Sequence, residues 1–126
     1  MIQQQTFLKS ADNSGAKFLK CIKVFKNSSK KNKILGKVAK VSVKELRNKS
    51  KITSKVLKGS VFRSVIVRTK NKNFIKDGSF FSFFKNSSVL INSQNKLVGT
   101  RIFGPVPKSL RKNKFLKFVS ISTGFF

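Results

Sequence analysis

Val38-Ala39-Lys40-Val41-Ser42-Val43-Lys44 puts small apolar residues at 39, 41 and 43 and polar ones at 40, 42 and 44. A period of two marks a strand with one buried face, because successive side chains leave a pleated strand on opposite sides. Downstream, residues 61–69 centre on Val65-Ile66-Val67, and Val89-Leu90-Ile91 is a second short strand signal. Upstream, residues 6–10 and 17–26 flank Asp12-Asn13-Ser14-Gly15. Asp and Asn bond nearby backbone N–H groups and Gly accepts a positive φ, so this is a turn between two strands. Asp77-Gly78 sits between Asn73–Lys76 and Ser79–Phe84, which reads as a hairpin. Residues 27–33 form a polar loop, and 46–58 a basic, weakly patterned extended one. Short apolar segments between polar turn clusters give an all-β chain. Past Pro105 and Pro107 the period changes: Phe115, Phe118 and Val119 share one face at helical spacing. Pro107 suits the first turn of a short helix, where its missing N–H has no partner to lose.

Charge sets the class of partner. The 126 residues carry 29 Lys and Arg against 3 Asp and Glu, a formal +26. Such an excess repels itself in a free monomer and implies a polyanion. Nucleic acid fits, since each phosphate contact releases counterions. A membrane surface fits poorly, because the cations are spread along the chain rather than gathered on one amphipathic helix. Length and composition suit one domain, residues 1–126, with one small core.

The inventory of reactive groups argues against an enzyme. There is no His, and Asp12, Glu45 and Asp77 are scattered, so acid–base chemistry has no pair to work with. Cys21 lies in a strand with no base to activate it and reads as a buried structural thiol. No metal site and no cofactor motif is present in the sequence. Met1–Thr6 is neither a signal peptide nor an Arg-rich transit peptide. With 24 of the 29 cations Lys and with 14 Phe, the composition matches an A+T-rich genome. Together these point to an organelle-encoded protein, a mitochondrial one in the first instance, with a plastid or a bacterial cytoplasm as alternatives.

Two unbroken blocks carry a resemblance: Ala11-Asp12-Asn13-Ser14-Gly15-Ala16 and Gly99-Thr100-Arg101-Ile102-Phe103-Gly104-Pro105-Val106. Met1-Ile2-Gln3, Cys21-Ile22-Lys23-Val24, Val67-Arg68-Thr69-Lys70 and Lys114-Phe115 extend it along the chain. The chain resembles the family of protein number fourteen of the large ribosomal subunit, in its bacterial and organellar form. That resemblance implies a small closed β-barrel of five to six strands with a protruding hairpin and short C-terminal helices at about 107–120. It also implies a structural role on large-subunit rRNA near the subunit interface, with a part in an intersubunit bridge. The partners implied are large-subunit rRNA, small-subunit rRNA, large-subunit proteins three and nineteen, and a ribosome-silencing factor. Departures include Lys37, Ser60 and Lys85 where bacterial relatives carry Asp, a longer 46–58 segment, and the Ser122–Phe126 tail. The rival reading is a free basic nucleic-acid-binding or regulatory module.

Candidate contacts follow from charge and resemblance together. Basic loops can track an irregular RNA surface, which singles out Lys30, Lys31, Lys33, Lys49, Lys51 and Lys55. Lys17, Lys23, Arg68, Lys70 and Arg111 join them as rRNA contacts; in a Lys-rich chain, each Arg suggests a required planar bidentate donor. Thr100, Arg101 and Lys117 match the family's docking face for the silencing factor. They are expected to lie together, facing outward; the alternative is that Arg101 grips a phosphate of its own subunit. Phe80, Phe81, Phe83 and Phe84 alternate in a way that puts one pair inside the barrel. Core packing is therefore their expected role, with base stacking as the alternative.

Overall fold

A computed structural model describes residues 2–25, 34–47, 54–112 and 115–125, with Lys112 described in its backbone only. In chain order the elements are β1 (Phe7–Ser10), β2 (Ala16–Val24), β3 (Val38–Leu46), β4 (Val61–Arg68), β5 (Asn73–Phe74), β6 (Phe80–Phe81), β7 (Ser87–Ile91) and β8 (Ile102–Val106). A 3-10 turn (Lys108–Lys112), helix α1 (Leu116–Ile121) and β9 (Ser122–Phe125) complete the chain.

Five strands close a barrel in the order β1-β2-β3-β4-β7. Closure runs through a parallel pair, with Lys9 opposite Ser87 and Ser10 opposite Ser88; the other barrel pairs are antiparallel. The all-β reading holds, and the alternation at 38–44 has the anticipated cause. Ala39, Val41 and Val43 are fully buried inside the barrel with Leu8, Leu19, Cys21, Ile66 and Leu90. Burial pushes the Cys21 thiol above its ordinary pKa, which keeps it protonated and unreactive.

The two apolar runs are buried for a different reason. Val65 and Val67 of β4 and Val89 and Ile91 of β7 point out of the barrel, into a second core with Ala11, Ile102, Val106, Leu110 and Phe118. The C-terminal segment thus roofs the β4–β7 side, and strands covered on both faces need no alternation. Phe115 and Val119 pack partly buried against this core, and the Phe115 and Phe118 rings meet edge-on at 5.0 Å. The expected apolar face therefore exists, with Phe118 and Val119 on the six-residue helix α1 and Phe115 at its N-cap.

Two elements depart from the sequence reading. Residues 102–106 form a strand, and β9 pairs with it in parallel, Ile102 opposite Ser122 and Val106 opposite Phe125. The Phe80–Phe84 expectation is corrected: none of the four rings enters either core. The hairpin strands are two residues long, and every side chain from Phe74 to Phe80 is exposed, so the ribbon stands off the barrel rather than filling it.

Candidate nucleic-acid interface and docking edge

The two sequence blocks at 11–16 and 99–106 meet in space. Asp12 is fully buried, and its carboxylate is the hub of the first turn. Oδ1 accepts the hydroxyls of Ser10 (2.5 Å) and Ser14 (2.6 Å) and the Ser14 N–H (3.4 Å). Oδ2 accepts the Leu90 N–H at 2.9 Å, tying the turn to β7. A buried carboxylate survives in so basic a chain because its lone pairs are met by donors held in place.

Asn13 then reaches across to the second block. Its Oδ1 accepts the backbone N–H groups of Thr100 (2.7 Å) and Arg101 (3.2 Å), and its Nδ2 donates to Thr100 Oγ1 at 2.8 Å. The Phe103 N–H donates to the Ala11 carbonyl at 2.7 Å. Gly99 is required by space: a Cβ there would sit 2.8 Å from Asn13 Oδ1 and 2.9 Å from Asp12 Cβ. The backbone of 99–103 is therefore clamped while the Thr100 and Arg101 side chains remain exposed.

Two arginines brace the same edge from behind. Arg68 is half-buried and its Nη1 donates to the carbonyls of Phe103 (2.8 Å) and Pro105 (3.4 Å). Its guanidinium fills the space a Cβ on Gly104 would need, and burial lowers its pKa from the ordinary value. Arg68, an expected RNA contact, thus has a task inside the fold. Arg47 lies over the Phe103 ring at 5.1 Å and donates to the Ser10 carbonyl at 3.1 Å. Arg47 was not among the expected site residues, although it is the one Arg among the lysines of residues 46–58, the signal that could have found it. Lys117 is exposed on α1, which runs directly into the Ser122–Ile102 pairing.

On the barrel wall, the registers line up Lys23, Lys40 and Arg63 on adjacent strands β2, β3 and β4. All three are exposed. Like charges directly opposite one another on a sheet destabilise it, so the row stores repulsion that a polyanion relieves. Beside it an open groove of about 640 Å³ runs between Phe25, Phe62 and the amide side chains of Asn92 and Gln94. Lys23 was anticipated. Lys40 and Arg63 were not, because cross-strand neighbours are separated in the chain and invisible to a linear reading.

The remaining candidates are dispersed. Lys17 pairs with Glu45 at 3.3 Å, both exposed, a contact of little energetic weight. Lys55 Nζ reaches the Val98 carbonyl at 3.4 Å. Lys70 and Arg111 are exposed, at the base of the hairpin and on the 3-10 turn respectively. Lys30, Lys31, Lys33, Lys49 and Lys51 lie outside the described residues.

A dispersed cationic shell around a β-barrel, with one clamped edge and no assembled acid–base group among the described residues, suits a ribonucleoprotein component. The family model described as ribosomal protein L14p/L23e matches residues 1–126, the whole chain. The chain belongs to this family of large-subunit ribosomal proteins, structural constituents of the ribosome that bind rRNA beside neighbouring ribosomal proteins.

Proposed function

We propose that the protein seats its β2–β3–β4 wall on large-subunit rRNA and turns its clamped 99–103 edge toward the subunit interface, where it takes part in an intersubunit bridge. The Lys23–Lys40–Arg63 row carries this reading, because three aligned, exposed cations repel one another mildly in water and gain by meeting phosphate. Lys17, Lys55, Lys70 and Arg111 extend the contact around the barrel, with Arg68 in reserve at its edge. Lys30, Lys31, Lys33, Lys49 and Lys51 are further rRNA contacts by their charge and sequence setting alone. Replacing Lys40 and Arg63 together by Ala is expected to lower the slope of log K against log salt by roughly two units, without changing sequence preference. Filter binding to an rRNA fragment across a salt series measures this; an unchanged slope removes the row from the interface.

Thr100, Arg101 and Lys117 supply the docking face for a ribosome-silencing factor, and small-subunit rRNA approaches the same side. The Asn13 clamp supports this: a pre-ordered backbone loses less entropy on docking. Arg101→Ala is expected to weaken factor binding to isolated large subunits by tenfold or more while subunit assembly continues, since an exposed Arg that becomes buried on docking is a common hot spot. Unchanged factor binding, with Arg101 protected in the free subunit, would instead assign Arg101 to a phosphate of its own rRNA. Proteins three and nineteen are the proposed protein neighbours. A mitochondrial ribosome is the proposed setting, supported by the Lys- and Phe-rich composition; identifying the genome that encodes the chain decides it.

A further inference from the structure

We propose that the groove beside the Lys23–Lys40–Arg63 row holds one unpaired nucleobase of the bound RNA. The base stacks on Phe25, its edge meets the amides of Asn92 and Gln94, and its phosphates meet Lys40 and Arg63. The proposal rests on the rRNA reading above and deepens it, from a charged wall to a site for a single extruded base. Phe25, Phe62, Lys40, Arg63, Asn92 and Gln94 all line this one groove, whose volume is about 640 Å³. That lies in the range of sites for small organic ligands.

Hydrogen-bonded backbone holds the walls of the groove. The Phe25 N–H donates to the Val38 carbonyl at 2.9 Å, which carries the β2–β3 pairing just past the end of β2. Lys40 stands opposite Arg63 across β3 and β4, and Arg63 opposite Ile91 across β4 and β7. The far wall is a tight turn after β7. There the Asn92 N–H donates to the Lys96 carbonyl at 2.8 Å and the Asn95 N–H to the Asn92 carbonyl at 2.9 Å, with Asn95 at a φ of +59°. A groove ordered before its ligand arrives loses less entropy on binding.

The chemistry of the lining selects a nucleotide as the occupant. Phe25 is 40% exposed and Val61 50%, which leaves apolar surface in the groove for a ring to cover. The Asn92 and Gln94 side chains are exposed and make no hydrogen bond among the described residues. Each amide offers a donor beside an acceptor, the pattern that unpaired bases present on their edges. Lys40 and Arg63 add two cations, and among the described residues no carboxylate lines the groove. Cores of protein interfaces are depleted in Lys, whereas a nucleotide brings one π face and one negative charge together. A base kept in a duplex stack cannot enter, so the groove favours bulges and loops.

Three RNA duplexes of one sequence test this: one with a single bulged adenosine, one with an abasic residue in the bulge, and one fully paired. The wild-type protein is expected to bind the adenosine bulge roughly fivefold or more tighter than the abasic bulge, which keeps the phosphates and lacks only the base. Phe25→Leu should bring that ratio close to one and leave the salt slope at its wild-type value. Asn92→Ala combined with Gln94→Ala should lower the ratio roughly threefold. The chain contains no Trp and no Tyr, so Phe25→Trp places a single indole in the groove of the full-length protein. The adenosine bulge should quench its emission, and the other two duplexes should leave it nearly unchanged. Because all three positions are exposed, the far-ultraviolet spectrum should stay that of the wild type. Equal wild-type affinity for the adenosine and abasic bulges, with the salt slope intact, overturns the groove proposal and leaves the electrostatic rRNA contact standing. Quenching by a peptide of alternating Glu and Phe, and not by the bulged duplex, assigns the groove to an acidic protein segment and also overturns it. Failure of the wild-type protein to bind any of the duplexes would strike the rRNA reading first, and the groove with it.

Discussion

Asp12→Ala should destabilise the protein by about 4 kcal/mol, since each buried donor left without an acceptor costs about 1–3 kcal/mol. The donors are the Ser10 and Ser14 hydroxyls and the N–H groups of Ser14 and Leu90. The two hydroxyls can rotate toward other acceptors; the Leu90 N–H, fixed in β7, cannot. Asp12→Asn retains the shape but sets an amide NH2 against one set of donors, so about half the loss should remain. Urea denaturation reads both values, and a loss below 1 kcal/mol for the Ala variant would show that the hub is dispensable. Asp77 makes the informative contrast. It is fully exposed, and hydrogen bonds from the Ser79 hydroxyl and N–H hold its carboxyl below the usual range. A carboxyl depressed in the fold contributes above its unfolded pKa and loses that contribution as pH falls through the folded value. That contribution is small here because the group is fully solvated and bonds only within its own turn, so Asp77→Ala should affect the hairpin tip and leave the global transition where it is.

Gly15→Ala should cost about 3 kcal/mol, combining a positive-φ penalty of about 1–2 kcal/mol with steric displacement of a neighbouring backbone. Gly15 has φ of +98°, and an added Cβ would lie 2.6 Å from Ser54 Cβ and 2.9 Å from Ser54 Cα. Ser54 cannot retreat freely. The Lys55 N–H is bonded to the Ser14 carbonyl at 2.9 Å, and the Arg47 N–H to the Gly15 carbonyl at 2.8 Å. Two residues beyond Ser54, Val56 is buried in the barrel core, so pushing Ser54 outward also withdraws a core side chain. The expected readout is a lower denaturation midpoint with an unchanged slope. A variant with wild-type stability would show that the 54–56 segment can be remodelled without loss. Because Asp12 and Gly15 share one turn, the double variant should lose less than the sum of the single ones.

Much of the barrel was legible because its evidence is local. Alternation at 38–44 reports a one-sided strand directly, and Asp12–Gly15 and Asp77-Gly78 are turns by the chemistry of their own side chains and backbone. The apolar face of Phe115, Phe118 and Val119 was legible for the same reason. Strand β9 was not: Ser122-Thr123-Gly124-Phe125 has no apolar pattern, and it is extended because the chain returns through α1 to lie beside Ile102–Val106. The Phe cluster misled in the opposite way. Alternating aromatics suggest a buried face, but a two-residue ribbon that leaves the barrel has no interior to offer.

By itself the sequence determined the class of partner, since net charge and residue inventory do not depend on how the chain folds. It also marked two blocks, at 11–16 and 99–106, as special. Only the tertiary structure decided that these are one unit, through an Asn13 side chain bonding residues 87 and 88 positions away. Likewise, only strand register sets Lys23, Lys40 and Arg63 side by side, and only the course of β8 turns Arg68 inward onto the carbonyls around Gly104. The physical reason is common to all three: periodicity and charge are properties of neighbours in the chain, whereas a contact surface is made of neighbours in space.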